Sequence, residues 1–340
     1  MSKYRKIADN ISVNEDSLSK FKNLECAIFD CDGTLVNINN SYNACIKKTV
    51  GFILERLIGG KQWYELVSDE LILKFRMSGG FNNDTDTSYA SILAVLASGS
   101  KDVVAARNFA LHVASNASPQ GIRSVEQYLT KSGYTDAVKK AKSDLNYPGL
   151  VGISMLSTVF DELFYGKELF IKLHHMQPRF SNSKGFIDDD EVVISDDTAH
   201  DLSKLFKKKM AIVSGRSRLA TEYSLKNILR NFNLDASVFL EDEEKEVMAN
   251  NLNIRVNKPE PYALLKAMKA LNAKSAISVG DSAEDIIMSR KVGEKYPIVF
   301  CGVYGTGIDD DTQFKMFVER GADAIIENIN LLPALLKSIT

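Results

Sequence analysis

Among the closely spaced aspartates of this chain, two pairs directly follow apolar runs that read as strands. Asp30 and Asp32 stand two residues apart in Phe29-Asp30-Cys31-Asp32-Gly33-Thr34-Leu35, directly after Cys26–Phe29. Carboxylates this close raise each other's pKa unless a cation intervenes, and hard oxygen donors suit Mg²⁺. Asp281 and Asp285 stand four apart in Val279-Gly280-Asp281-Ser282-Ala283-Glu284-Asp285, a spacing that shares one face of an opening helical turn. Between the pairs comes Ser214, in Val213-Ser214-Gly215-Arg216-Ser217, where a hydroxyl and backbone N–H groups at a helix start form an anion site. Lys258, in Asn257-Lys258-Pro259, is a cation able to neutralise a phosphate oxygen or to hold the carboxylates. Each has a plain alternative: a solvated acidic turn, an ordinary serine cap, an exposed lysine, a helix start favoured by its dipole. Their falling together at successive strand ends is what marks a site.

The elements that must position them follow from the pattern. Cys26–Phe29, Met210–Val213, Ala276–Val279 and Pro297–Cys301 are short apolar runs, each followed by glycine or polar residues, and predict buried parallel strands. A helix is predicted from Arg218 to Phe232, with Leu219, Tyr223, Ile228 and Leu229 on one stripe, and another opening at Pro261. Strands alternating with helices imply an α/β fold with a doubly wound parallel sheet, whose sites form at the carboxyl ends of the strands. The stretch between about Asn37 and Glu191 is dominated by helical patterns instead, at Tyr42–Leu57, Ser88–Leu96 and Val103–Val113. The predicted organisation is therefore a core domain of residues 1–37 and 191–340, interrupted by a helical domain of 38–190. Its joints are expected near Asn37–Asn40 and the turn-rich Ser181–Asp190.

Composition narrows the partners. The 340 residues are 45% hydrophobic and 25% charged, with a formal net charge of −2, which argues against broad binding to nucleic acid or anionic membrane. No segment approaches the ~18 consecutive apolar residues of a membrane span. The polar segment up to Asn23 is expected to pack weakly or fray. The acidic run Glu241–Glu246 is expected to be a solvated loop or helix face. Cys26, Cys31, Cys45 and Cys301 show no CxxC spacing, as expected of free thiols in a reducing cytoplasm. No GxxxxGK[ST] supports a kinase, and Gly302–Gly307 lacks GxGxxG spacing.

With these residues in order, the sequence resembles the haloacid dehalogenase-like hydrolase superfamily. Its four motifs match Phe29–Leu35, Ala211–Ser217, Asn257–Pro261 and Ser278–Asp285. Within it the chain looks most like the subfamily IA phosphatases of the phosphoglycolate phosphatase type, with a helical C1 cap inserted after the first motif. The resemblance implies a Rossmann-like core with an all-helical cap, and a Mg²⁺-dependent phosphatase acting on a small-molecule phosphate monoester through an aspartyl-phosphate. It implies Asp30 as nucleophile, Asp32 as acid and base, and Lys258 as a catalytic and phosphate-binding cation. Ser214 and the Gly215 N–H would bind phosphate, with Arg216 a further candidate. Asp30, Asp32 (through its backbone carbonyl), Asp281 and Asp285 would hold or support the metal. In the cap, Phe75–Asp84 suggests Arg76, Asn82 and Asn83 as contacts to substrate, Arg76 to its phosphate. The family's dehalogenases lack an aspartate at the position of Asp32, so its presence favours phosphoryl chemistry. Asn37 departs from the aspartate many subfamily members carry, and the cap is longer than usual. A phosphomutase on the same core and a non-catalytic phosphate-sensing regulator are the competing readings.

Overall fold

A computed structural model of the chain describes residues 3–81, 83–307 and 309–339, without the side chain of Met248. Asn82, one of the expected cap contacts, lies outside the described residues. The chain divides into two compact units. One holds the described residues up to Ile38 and from Glu191 onward, the other Asn39–Asp190.

The strands are β1 (Tyr4–Ala8), β2 (Ile11–Asn14), β3 (Cys26–Phe29), β4 (Val36–Asn37), β5 (Glu191–Val192), β6 (Met210–Ser214), β7 (Val238–Phe239), β8 (Ala276–Gly280), β9 (Ile298–Val303) and β10 (Ala324–Ile326). Eight of them form one sheet in the order β1-β2-β10-β9-β8-β3-β6-β7. From β10 to β7 every pairing is parallel, and β3, β6, β8 and β9 are buried along their whole length. Burial on both faces explains why these strands read as unbroken apolar runs rather than alternating ones. After β3 the chain moves outward through β6 and β7, then returns to the other flank of β3 at β8. Strand order therefore reverses beside β3, and ligands in such sheets bind at that switch point. The register aligns Phe29 with Val279 and with Ile212, so the three loops that follow start at one level.

Two expectations are corrected here. The N-terminal segment does not fray. β1 and β2 form an antiparallel hairpin whose β2 pairs with β10, and Ile11, Val13 and Phe21 are buried. Alternating Ile11 and Val13 supply one apolar face, enough for a strand once a partner edge exists. The helix expected from Arg218 to Phe232 stops at Leu225. Lys226 has φ +47°, and Lys226–Asn231 continues as a 3-10 helix. The left-handed residue turns the apolar stripe instead of prolonging it.

Among its described residues the Asn39–Asp190 unit contains helices and no strand. Tyr42–Ile58, Asp84–Ser98 and Met155–His174 carry most of its buried apolar side chains. Glu162, fully buried, accepts the N–H groups of Arg179, Phe180 and Ser181 at 2.6, 2.6 and 2.8 Å. A carboxylate in that position fixes the returning chain with charge-assisted bonds. All four cysteines are free and buried. Among the described residues no single helix is long and apolar enough to cross a membrane.

Candidate active site

Asp30 follows β3 and is buried to 6% exposure. Its N–H donates to the Val279 carbonyl at 2.8 Å, so the β3–β8 ladder sets its backbone. One carboxylate oxygen, Oδ1, accepts from the Cys31 N–H at 2.8 Å and from Lys258 Nζ at 2.8 Å. The second oxygen carries no hydrogen bond among the described residues. A carboxylate tethered through one oxygen presents the other in a fixed direction.

Lys258 precedes the helix Tyr262–Ala270, whose N-cap is Pro261. Its ammonium, fully buried, bridges Asp30 and Asp285, the latter at 2.7 Å. Asp285 belongs to a capping box at the start of the helix Ala283–Gly293. Its Oδ2 accepts the Ser282 hydroxyl at 2.6 Å and the Ser282 N–H at 3.2 Å. Both Asp285 oxygens are thus committed to protein donors. Asp281, directly after β8, lies against Gly33. A Cβ built on Gly33, whose φ is +73°, would fall 2.0 Å from Asp281 Oδ2. No side chain fits there, and the φ itself favours glycine.

The structure brings Asp30, Lys258, Asp281 and Asp285 together, with ligand oxygens of the three carboxylates all within 4.8 Å of one another. Asp32 is held differently. Its Oδ1 pairs with Nη2 of Arg216, whose side chain is fully buried while that of Asp32 is 22% exposed. Arg216 is anchored in turn by Nη1 donating to Ser224 Oγ at 2.9 Å. The guanidinium thus takes a carboxylate as partner, where a phosphate contact had been entertained.

Ser214 ends β6 fully buried, and its Oγ accepts the Arg216 N–H at 3.2 Å. The helix that follows offers fewer anion-binding groups than expected. Ser217 N–H donates to Glu241 at 3.0 Å and Arg218 N–H to Asp242 at 2.8 Å, while Ser217 Oγ caps Ala220. Glu241 and Asp242 open the helix Leu240–Ala249, so the acidic run is not a solvated face. It supplies the negative charge that a helix N-terminus attracts. Burial, as the leading cause, pushes the Asp242 carboxyl up. The peptide of Gly215, ahead of that helix, remains the backbone candidate for an anion.

Burial also pushes the Asp30 carboxyl well above the usual range. Lys258 pulls it down, and Asp285, Asp281 and Asp32 push it further up. Burial would lower the Lys258 ammonium, but Asp285 and Asp30 outweigh it and raise it. Across the six residues, four carboxylates face two cations, leaving two negative charges in excess. All donors are hard oxygens, so the set fits one divalent cation of the Mg²⁺ kind. Oxygens of Asp30, Asp281 and Asp285 lie close enough to share one ion, with those of Asp285 also accepting from Lys258 and Ser282.

The sequence profile of the haloacid dehalogenase-like hydrolases matches residues 24–293. The chain belongs to that family. Its fold is similar to the X-ray structure of a structural-genomics target, with 16% identity, 93% of this chain and 99% of that one covered, and a TM-score of 0.60. It is also similar to a phosphatase from Thermococcus thioreducens, with 20% identity, 87% and 99% covered, and a TM-score of 0.54. No curated protein matches the sequence.

In this haloacid dehalogenase-like hydrolase the remaining expected contacts belong to the helical unit. There Arg76 pairs with Asp84 at 2.8 Å, and Asn83 caps the helix Asp84–Ser98 by accepting the Thr85 N–H at 2.9 Å. Two residues beyond the matched segment, Thr306 and Gln313, also reach the loops of the site with no motif in the sequence to mark them. The Thr306 hydroxyl donates to the Gly33 carbonyl, and Gln313 Nε2 donates to the Asp281 carbonyl at 2.6 Å. Gly302–Gly307 lacks GxGxxG spacing and carries no other motif. The only signal available was its position after a fifth parallel strand.

Proposed function

We propose that this hydrolase cleaves a small-molecule phosphate monoester, with Asp30 as nucleophile and Mg²⁺ as the required ion. The observation behind it is the tethering of Asp30. Lys258 and the Cys31 N–H hold one oxygen at the switch point, and Asp281 stands alongside. The free oxygen attacks phosphorus, the P–O ester bond breaks, and the phosphoryl group passes to Asp30 as an aspartyl-phosphate. Asp32, which enters this step protonated on the oxygen turned away from Arg216, gives that proton to the leaving oxygen. It then takes one from the water that attacks the aspartyl-phosphate and releases phosphate. Arg216 keeps Asp32 oriented from the protein side. Ser214, the Gly215 peptide and the third N–H of the Lys258 ammonium bind phosphoryl oxygens. Mg²⁺ held by Asp30, Asp281 and the Asp32 carbonyl supplies, when bound, positive charge for those oxygens. Asp285 acts through Lys258. The helical unit is the cap in this reading, the part that selects the ester.

A panel of phosphate monoesters, assayed for phosphate release with Mg²⁺ or with excess chelator, tests this beside Asp30→Asn. Release should need both the metal and Asp30. Release that survives either loss overturns the mechanism. Interconversion of sugar phosphates without phosphate release points to a mutase, and inertness despite phosphate binding to a regulator.

A further inference from the structure

The loop after β9 and the helix Asp310–Glu319 form a brace against the two loops that carry Asp30 and Asp281. Gln313, 6% exposed, sends Nε2 to two backbone carbonyls, Asp281 at 2.6 Å and Val303 at 3.3 Å. It thereby ties the Asp281 peptide to the end of β9. Thr306, 5% exposed, donates its hydroxyl to the Gly33 carbonyl. Gly33 is the residue whose Cα lies against the Asp281 carboxylate. The loop is itself held, because Tyr304 N–H donates to Ile326 at 3.1 Å and Gly305 N–H to Glu327 at 2.6 Å. Gly307 leaves room for the Gln313 amide as placed, since a Cβ there would lie 1.8 Å from Gln313 Oε1. The Asp281 carboxylate is therefore set through its own peptide by Gln313 and through its neighbour Gly33 by Thr306.

We infer that Thr306 and Gln313 are positioning residues that set the affinity of the Asp30–Asp281 pair for a divalent cation. The inference rests on the metal-dependent reading above. Groups that orient metal ligands without touching the ion typically change affinity about 10- to 100-fold when removed.

The test is Mn²⁺ binding to the full chain, followed by the free-ion EPR signal and needing no turnover, with Mg²⁺ as competitor. Thr306→Val and Gln313→Met should weaken Mn²⁺ binding about 10-fold, while Thr306→Ser, which keeps the hydroxyl, should bind as the parent does. In phosphate-release assays the half-saturating Mg²⁺ should rise in step, with kcat at saturating metal little changed. Folded variants that bind Mn²⁺ as tightly as the parent overturn the inference, as does a Thr306→Ser protein as weak as Thr306→Val. If Gln313→Met does not fold by circular dichroism, the valine and serine variants at 306 decide alone. A parent chain that binds no Mn²⁺ at all fails the underlying metal reading instead, which separates the two.

Discussion

Asp30 and Asp323 are both buried carboxylates at strand ends of one sheet, and their surroundings are opposite. Asp323 immediately precedes β10 and accepts four donors: Ser17 Oγ at 2.6 Å, Phe300 N–H at 2.9 Å, Lys20 Nζ at 3.0 Å and Arg290 Nη1 at 3.0 Å. Burial would raise its carboxyl. The Phe300 N–H, Ser17, Arg290 and Lys20 outweigh that and hold it below the usual range. At Asp30 the balance is reversed, with carboxylates outnumbering cations and the carboxyl raised. A satisfied carboxylate fastens the 3-10 segment Glu15–Phe21, which follows the N-terminal hairpin, to the sheet. An under-compensated cluster carries unfavourable charge, which under the proposed function a cation or substrate would relieve. Donor count, more than burial, separates structure from chemistry here.

The widest separation is expected from one change at each place. Asp30→Asn should lower phosphate release roughly a thousandfold or more, while the metal-free protein melts no lower than the parent because part of the excess charge is removed. Asp323→Asn should do the reverse. Breaking a buried, paired charge costs about 3–5 kcal/mol, visible as a lower denaturation midpoint, with kcat per folded molecule retained. Equal destabilisation by both changes would erase the distinction.

Next in size is the response to metal. If the excess charge at Asp30 awaits a cation, Mg²⁺ should stabilise the parent by about 2.7 kcal/mol at a hundredfold excess over Kd, read as a rise in Tm. The shift should vanish in Asp281→Asn and persist in Asp323→Asn. A shift of equal size in all three proteins would place the ion elsewhere.

The difference between the two carboxylates was only half legible in the sequence. Asp30, Ser214, Lys258, Asp281 and Asp285 could be picked out because paired carboxylates, a hydroxyl and a lysine follow short apolar runs, and β3, β6, β8 and β9 are such runs, buried on both faces. Asp323 gave no signal. Its donors come from residues 17, 20, 290 and 300, brought together by strand pairing that no local pattern encodes. For the same reason β2 went unseen, since four residues of alternation become a strand only beside β10. Glu241 and Asp242 cap a helix 24 residues away, and Arg216 turns to Asp32. Chemistry-bearing types are visible one at a time, whereas partners separated in sequence are not.

The finest test is the pH dependence of stability, where each unit of pKa difference is worth about 1.4 kcal/mol. For Asp323 the folded pKa is lowered. Its contribution is full above the unfolded value of about 3.9 and is lost as pH falls through the folded one. For Asp30 the folded pKa is raised, so its contribution is full below about 3.9 and is lost as pH rises through the folded value. The metal-free protein should therefore gain stability on acidification from neutral pH, then lose it below about pH 4. Denaturant titrations across that range should show Asp30→Asn without the first slope and Asp323→Asn without the second. Saturating Mg²⁺ should flatten the first slope alone, because a bound cation favours the ionised Asp30 that folding otherwise disfavours. A parent curve that declines steadily from neutral pH would put the two carboxylates on the same footing.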